Sequence, residues 1–294
     1  MANLKAIRQR IKSVKATQKI TSAMRMVAAA KVRRAQMRVQ AGRPFTQAVV
    51  RVLRDAVADA SPIDLQGLKL LEHRPVIKKV ALVIFSSDRG LCGSYNTNVF
   101  RETMTRIQAL RNDGVEVSLI LIGLKSVAFF KHIKIEKLKT FTNLPAIPTV
   151  EEAKLISETA ADFFLKGTVD SVEIIVTHFI SMLRSNIDTM KYLPVDLPAP
   201  AEHTGIAPEK LFEPTVLEVM SRELLPKYIH NVIYQSLLEA SASELAARMN
   251  AMTNASNNAR DLITNLTLVY NKARQASITQ ELLEIVSGAE ALKG

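Results

Sequence analysis

Between Lys227 and Ser287 the chain contains neither glycine nor proline, and Ala, Leu, Met, Glu, Asn and Gln are prominent. As a single helix rising 1.5 Å per residue, this stretch would be roughly 90 Å long. Within it Leu245, Met249, Met252, Ser256, Ala259, Ile263, Leu266, Tyr270 and Ala273 alternate at spacings of four and three, the pattern of a coiled-coil seam. The seam is narrow. Ser256, Ala259 and Ala273 are small, so a partner helix can come close while burying little apolar area there. A helix in a bundle gives the same periodicity, but a periodic segment far beyond about 25 residues points to a coiled coil, a repeat array or a membrane span. Arg248, Asn250, Asn257, Asn258, Arg260 and Asp261 exclude the span, since they interrupt any apolar run well short of about 18 residues. A rod that needs a partner remains.

The N-terminal segment offers one. From Met1 to Arg54 there are fourteen Lys or Arg residues and no acidic residue before Asp55. Leu4, Ile7, Ile11 and Val14 follow three-four spacing, and the stripe is expected to continue with some slippage through Ile20, Met24 and Val27, giving a second amphipathic rod. A kink or break is expected near Gly42 and Pro44, the first helix-weakening residues in the chain. Length and regularity argue against a mitochondrial targeting segment. Phe45 is the only aromatic residue before Phe85, so the arm lacks the stacking platform of a nucleic-acid-binding helix, and no zinc or helix-turn-helix signature appears. The reading that fits best is a helix beside or inside a negatively charged protein partner, its apolar stripe facing the C-terminal rod.

Composition sets the wider bounds. In 294 residues, 48% are hydrophobic and the formal net charge is +11, enough for a buried core and one or two domains. Such a positive balance directs attention to nucleic acid, anionic membranes or acidic proteins. The lone cysteine, Cys92, excludes an intrachain disulfide. The sequence displays neither a signal peptide nor a membrane span, so a soluble or peripheral protein is expected.

Beyond Pro62 and Pro75 the pattern changes. Val80 to Phe85, Val117 to Ile122 and Val172 to Thr177 are apolar runs of the kind found in buried parallel strands. Between them lie helical stretches at Thr97 to Leu110, Leu124 to Lys131 and Val150 to Leu165, the last with Thr149 and Glu152 placed as a capping box. Asp188 to Leu193 is expected to return as a further strand, with Pro194, Pro198 and Pro200 leading into a linker. This alternation predicts a doubly wound, Rossmann-like α/β domain. The expected division is therefore 1–57 and 214–294 as paired coiled-coil helices, with 75–198 as the α/β domain.

The loop from Ser86 to Gly93 occupies the place where such a sheet binds phosphate. It lacks the third glycine of G-x-G-x-x-G and the Gly-Lys-Ser/Thr of a P-loop, which favours a tight turn. Cys92 lies near Arg89, but the histidines at 73, 132, 178, 203 and 230 give it no base by sequence arrangement and lack metal spacing. No catalytic constellation, cofactor site or metal site is legible.

Both ends carry a specific resemblance. Ile278, Thr279, Gln280, Glu281, Leu282, Leu283, Glu284, Ile285, Val286, Ser287, Gly288 and Ala289, preceded by Tyr270 to Ser277, closely resemble the end motif of the γ subunits of F-type ATP synthases. Ile20 to Lys31 resembles that family's N-terminal helix, and Ser87 to Gly93 its α/β-domain loop. The motifs occur in the right order and the resemblance covers nearly the whole chain. It implies a non-catalytic central shaft, one copy per complex, inside a ring of three α and three β subunits, coupling ion flow through a membrane c-ring to ATP chemistry in the ring. It further implies that the α/β domain lies at the foot of the shaft beside the ε subunit and the c-ring, on the cytoplasmic face of a bacterial inner membrane. Met24, Arg274 and Gln275 match family positions that face β-subunit loops. Chloroplast and many cyanobacterial forms insert a segment in the region of Leu193 to Leu224, with two cysteines in plants; this chain has neither cysteine. A basic coiled-coil scaffold or nucleic-acid-binding protein is the alternative left by periodicity and charge alone.

Overall fold

A computed structural model describes residues 4–59, 67–145, 147–196 and 215–291. The linker expected after Pro198 lies outside the described residues. The chain divides into two compact units, one formed by 1–29 with 248–294 and the other by 30–247.

The elements are α1 (Leu4–Asp59), a 3₁₀ turn (Lys69–Leu71), β1 (Lys79–Phe85), α2 (Tyr95–Asn112), β2 (Glu116–Ile122), α3 (Leu124–Phe130), β3 (Glu136–Phe141), α4 (Val150–Leu165), β4 (Ser171–Phe179), β5 (Ser185–Leu193), α5 (Val216–Val219), a π-helical turn (Met220–Leu224) and α6 (Leu225–Ala291). In the larger unit five strands form a sheet in the order β3-β2-β1-β4-β5. The first four are parallel and β5 is antiparallel to β4. The Rossmann-like expectation is met, with an antiparallel edge added.

Alternation along β1 assigns its side chains to two layers. Ala81, Val83 and Phe85 share a core with Ile156, Ala160 and Phe164 of α4, Ile229 and Ile233 of α6, and Leu53 and Ala56 of α1. Val80, Leu82 and Ile84 face the other way, onto Val99, Ile107 and Leu110 of α2 and Phe130 of α3. Because both faces are covered, β1 reads as an uninterrupted apolar run. At the start of α4 the backbone N–H and hydroxyl of Thr149 both donate to Glu152 Oε2, at 2.7 and 2.9 Å, as its capping-box spacing predicts.

Strand β3 escaped the sequence reading. Its Glu136-Lys137-Leu138-Lys139-Thr140-Phe141 run is mostly exposed, because an edge strand pairs on one side only and carries charge toward solvent.

Two expectations about α1 require correction. First, the helix does not break near Gly42 and Pro44 but continues to Asp59. Gly42 instead permits a close approach: a Cβ there would lie 2.8 Å from Gln235 Oε1 of α6. One turn further on, Asn231 Nδ2 donates to Thr46 Oγ1 at 2.9 Å. Val32, Ala35 and Val39 share a core with Leu238, Ala242, Leu245 and Ala246. Along this stretch the position on α6 falls as that on α1 rises, so the helices are antiparallel.

Second, the N-terminal stripe does not pass through Ile20 and Val27, which are 60% and 55% exposed. In the smaller unit, Leu4, Ile7, Ile11, Val14, Gln18, Thr21 and Met24 are half-buried and Ala28 is buried. The seam therefore includes polar residues at 18 and 21, while neighbouring apolar residues face outward. Helical spacing takes precedence over side-chain polarity here, because a residue's angular position decides what it meets. On α6 every predicted seam position in this unit, from Met249 to Ala273, is buried or half-buried, and Ser277 adds one more.

Candidate partner-binding surface

Three features of the surface distinguish the paired helices. One is charge: along α1 the Lys and Arg residues from Lys5 to Arg51 are exposed, and Arg54 is half-buried. The three-four pattern turns one stripe inward and leaves most of these charges on the remaining circumference. The second is the outward apolar set of Ile20, Met26 and Val27 on α1 and Leu262, Leu268 and Val269 on α6. The third is the end of α6. After Ser277 every described residue is exposed, including Ile278, Leu282, Leu283, Ile285 and Val286. Residues 278–291 correspond to about 20 Å of helix without a seam partner among the described residues.

The three residues matched to β-contact positions are not clustered. Met24 is half-buried, whereas Arg274 and Gln275 are exposed beside the seam residue Ala273. Seam positions run from Leu4 to Ala28 on α1 and from Met249 to Ser277 on α6 in the opposite direction. Met24 and the Arg274–Gln275 pair therefore lie toward opposite ends of the smaller unit, on the order of 30 Å apart along the helices.

The loop after β1 spends its polar groups internally. Ser87 N donates to Asn96 Oδ1 at 3.0 Å, Asn96 Nδ2 to Ser87 Oγ at 2.8 Å, and Ser87 Oγ to the Arg89 carbonyl at 2.8 Å. Asp88 Oδ1 accepts from Leu124 N at 2.8 Å, placing a carboxylate at the start of α3. Ser86 Oγ accepts from Ser126 N at 2.9 Å. Cys92 is 2% exposed and receives a 3.2 Å contact from Asn96 Nδ2. These bonds hold the tight turn favoured by the sequence. Among the described residues no group of His, Cys, Asp and Glu is arranged to hold a metal ion, and no helix is long and apolar enough to cross a membrane.

Charged groups instead fasten the α/β domain together. Arg106 bridges Glu173 with two bonds, Nε to Oε2 at 2.7 Å and Nη2 to Oε1 at 2.5 Å. Burial disfavours the Asp170 carboxylate, but Arg74 Nη1 at 2.5 Å and the amides of Lys78 and Lys79 at 2.8 and 2.9 Å outweigh it and lower its pKa. His178 Nδ1 bonds Glu239 Oε2, and its Nε2 lies 3.6 Å from Asp188 Oδ2. The Glu239 bond raises the His178 pKa against the opposing effect of burial. Sequence separation concealed this contact, since residues 178 and 239 have no shared local pattern.

An antiparallel pair of terminal helices with an α/β domain inserted between them defines a stalk-type subunit. The family described as ATP synthase matches residues 3–292. The chain is 45% identical to the ATP synthase gamma chain of Thermosynechococcus vestitus over 318 aligned positions, covering 100% of both chains. It is 46% identical to that of Rippkaea orientalis over 317 positions, covering 99% of this chain and 100% of the relative. Both alignments are longer than this chain, so these relatives carry residues with no counterpart here. The structure is similar to the central stalk of the Tetrahymena thermophila mitochondrial ATP synthase, with 25% identity, TM-score 0.58 and coverage of 81% of this chain and 99% of that one. A chain from the Euglena gracilis mitochondrial ATP synthase shares the fold with TM-score 0.64 at 19% identity, covering 98% and 94% of the two chains. The chain belongs to the ATP synthase family, among its γ chains, and has the role of a central rotor shaft.

Proposed function

We propose that this shaft is non-catalytic and transmits torque between a c-ring in the membrane and the ATP-processing sites of surrounding α and β subunits. The observation carrying this reading is the long helix pair, which joins an exposed basic face to a narrow internal seam. A helix whose backbone bonds are all internal resists bending, and a second helix packed along one stripe stiffens it further. Small seam residues keep the pair thin enough for a central cavity. The exposed Lys and Arg residues suit acidic loops, while the apolar end of α6 suits a greasy collar formed by the ring.

In this reading, residues 1–57 and 214–294 act as the shaft. Residues 75–198 form its foot, in contact with the ε subunit and the c-ring at the cytoplasmic face of a bacterial inner membrane. Met24, Arg274 and Gln275 meet β-subunit loops. The exposure of Arg274 and Gln275 leaves their donors available to such loops, and a charged hydrogen bond is worth roughly 1.5–3 kcal/mol.

Replacing Arg274 and Gln275 together with Ala in the assembled complex is expected to lower ATP turnover while leaving subunit stoichiometry intact. Arg274→Glu is expected to do worse, because it places like charges together. Normal turnover and ion pumping in both variants would remove these residues from the contact. Purification from the native membrane without α, β, ε or c subunits would overturn the larger reading.

A further inference from the structure

The internal ionic contact of His178 lies where the β4–β5 hairpin meets the long C-terminal helix. His178 is near the end of β4 opposite Asn186 of β5, Asp188 lies two residues beyond Asn186 on the same strand, and Glu239 belongs to α6. Glu239 is buried, and its second oxygen accepts from Gln235 Nε2 at 3.1 Å. The positive charge of Arg43 on α1 also favours its ionised form. Asp188 Oδ1 accepts from Asn186 Nδ2 at 2.8 Å. Thus α6 presents Glu239 and Gln235, β5 presents Asp188 and Asn186, and α1 contributes Arg43 through Glu239.

We propose that His178 is a positioning residue and that its protonation controls how firmly the β4–β5 hairpin holds α6. The two ring nitrogens face different carboxylates. Imidazolium presents a proton to each, while neutral imidazole has only one and must turn a lone pair toward the other carboxylate. Deprotonation therefore weakens one side of the clamp without removing the other. Burial opposes the charge on His178, but the Glu239 bond and the nearby Asp188 raise its pKa. The contact is complete below the ordinary histidine value and is weakened as pH rises through the raised value. Glu239 limits the other side: burial opposes its charge, but the bonds from His178 and Gln235 lower its pKa, so the carboxylate stays ionised through the range in which His178 titrates.

The test uses the full-length, isotopically labelled chain. Long-range proton–nitrogen spectra follow the His178 ring against pH, with His178→Gln identifying its signal. Hydrogen exchange over 185–190 and 235–243 is measured in parallel and corrected for the intrinsic effect of pH. The His178 midpoint is expected above about 6.5, with protection in both segments falling from about pH 6 to about pH 8.5. His178→Gln is expected to remove that pH dependence, and Glu239→Gln to lower the midpoint. A wild-type midpoint at or below about 6.5 overturns the proposal, as does equal pH dependence in His178→Gln. If that variant does not fold, the wild-type midpoint and its response to Glu239→Gln decide.

Discussion

At the scale of single residues, the domain depends on positions that tolerate almost no change in shape or charge. Gly123 has φ near +94°, and an added Cβ would stand 2.3 Å from the Ser86 carbonyl oxygen. Backbone strain and a collision with another backbone segment act together, so Gly123→Ala is expected to destabilise the chain by at least about 2 kcal/mol, read as a lower denaturant midpoint. Asp170 gives a different response. Its pKa is lowered because bonds from Arg74, Lys78 and Lys79 outweigh burial. Its stabilising contribution is present above the ordinary carboxylate pKa and disappears as pH falls through the lowered value. Asp170→Asn should therefore destabilise the protein at neutral pH and flatten its acid-unfolding profile, which thermal melts over a pH series would reveal. Neither role was visible before the chain was folded: Gly123 meets a loop 37 positions earlier, where Ser86 Oγ donates to its carbonyl, and Asp170 draws its donors from Arg74, Lys78 and the first residue of β1, Lys79.

Among the elements, α6 was readable because its seam repeats without interruption and all its predicted positions from Leu245 to Ala273 are buried or half-buried. The N-terminal helix was harder. Gln18 and Thr21 occupy inward positions, so choosing the nearby apolar residues Ile20 and Val27 shifted the stripe. Strand β3 was hidden by its charged edge, and Gly42 resembled a hinge until Gln235 was seen opposite it. The sequence supplied the periodicities of the two rods but could not supply their register, which depends on contacts between distant segments. The Met24, Arg274 and Gln275 positions came from resemblance, not from a chemical pattern; such side chains identify no partner by spacing alone. Among the described residues the seam stops at Ser277, and a separate expectation follows. Truncation after that residue should leave the melting midpoint of the unassembled chain within about 1 °C, because surface changes away from packed contacts usually have small effects. The same truncation should lower torque output or turnover in the assembled enzyme. Circular-dichroism melts and rotation or ATPase assays would separate these effects.

For the whole molecule, a single buried thiol limits redox control. Cys92 is the chain's one cysteine and has no intrachain cysteine with which to form a disulfide. Cys92→Ser is therefore expected to leave the response of the assembled ATP synthase to dithiothreitol unchanged, as an ATPase assay with and without reductant would establish. The exposed end of α6 has a consequence before any such complex begins to work. An unassembled copy displays Ile278, Leu282, Leu283, Ile285 and Val286 on one bare helical end. Such a surface favours capture by chaperones, degradation or self-association when ring partners are scarce. If the ring covers this tip as proposed, the same apolar surface would help keep subunit abundance in proportion, since only surplus shafts would remain conspicuous to cellular quality control.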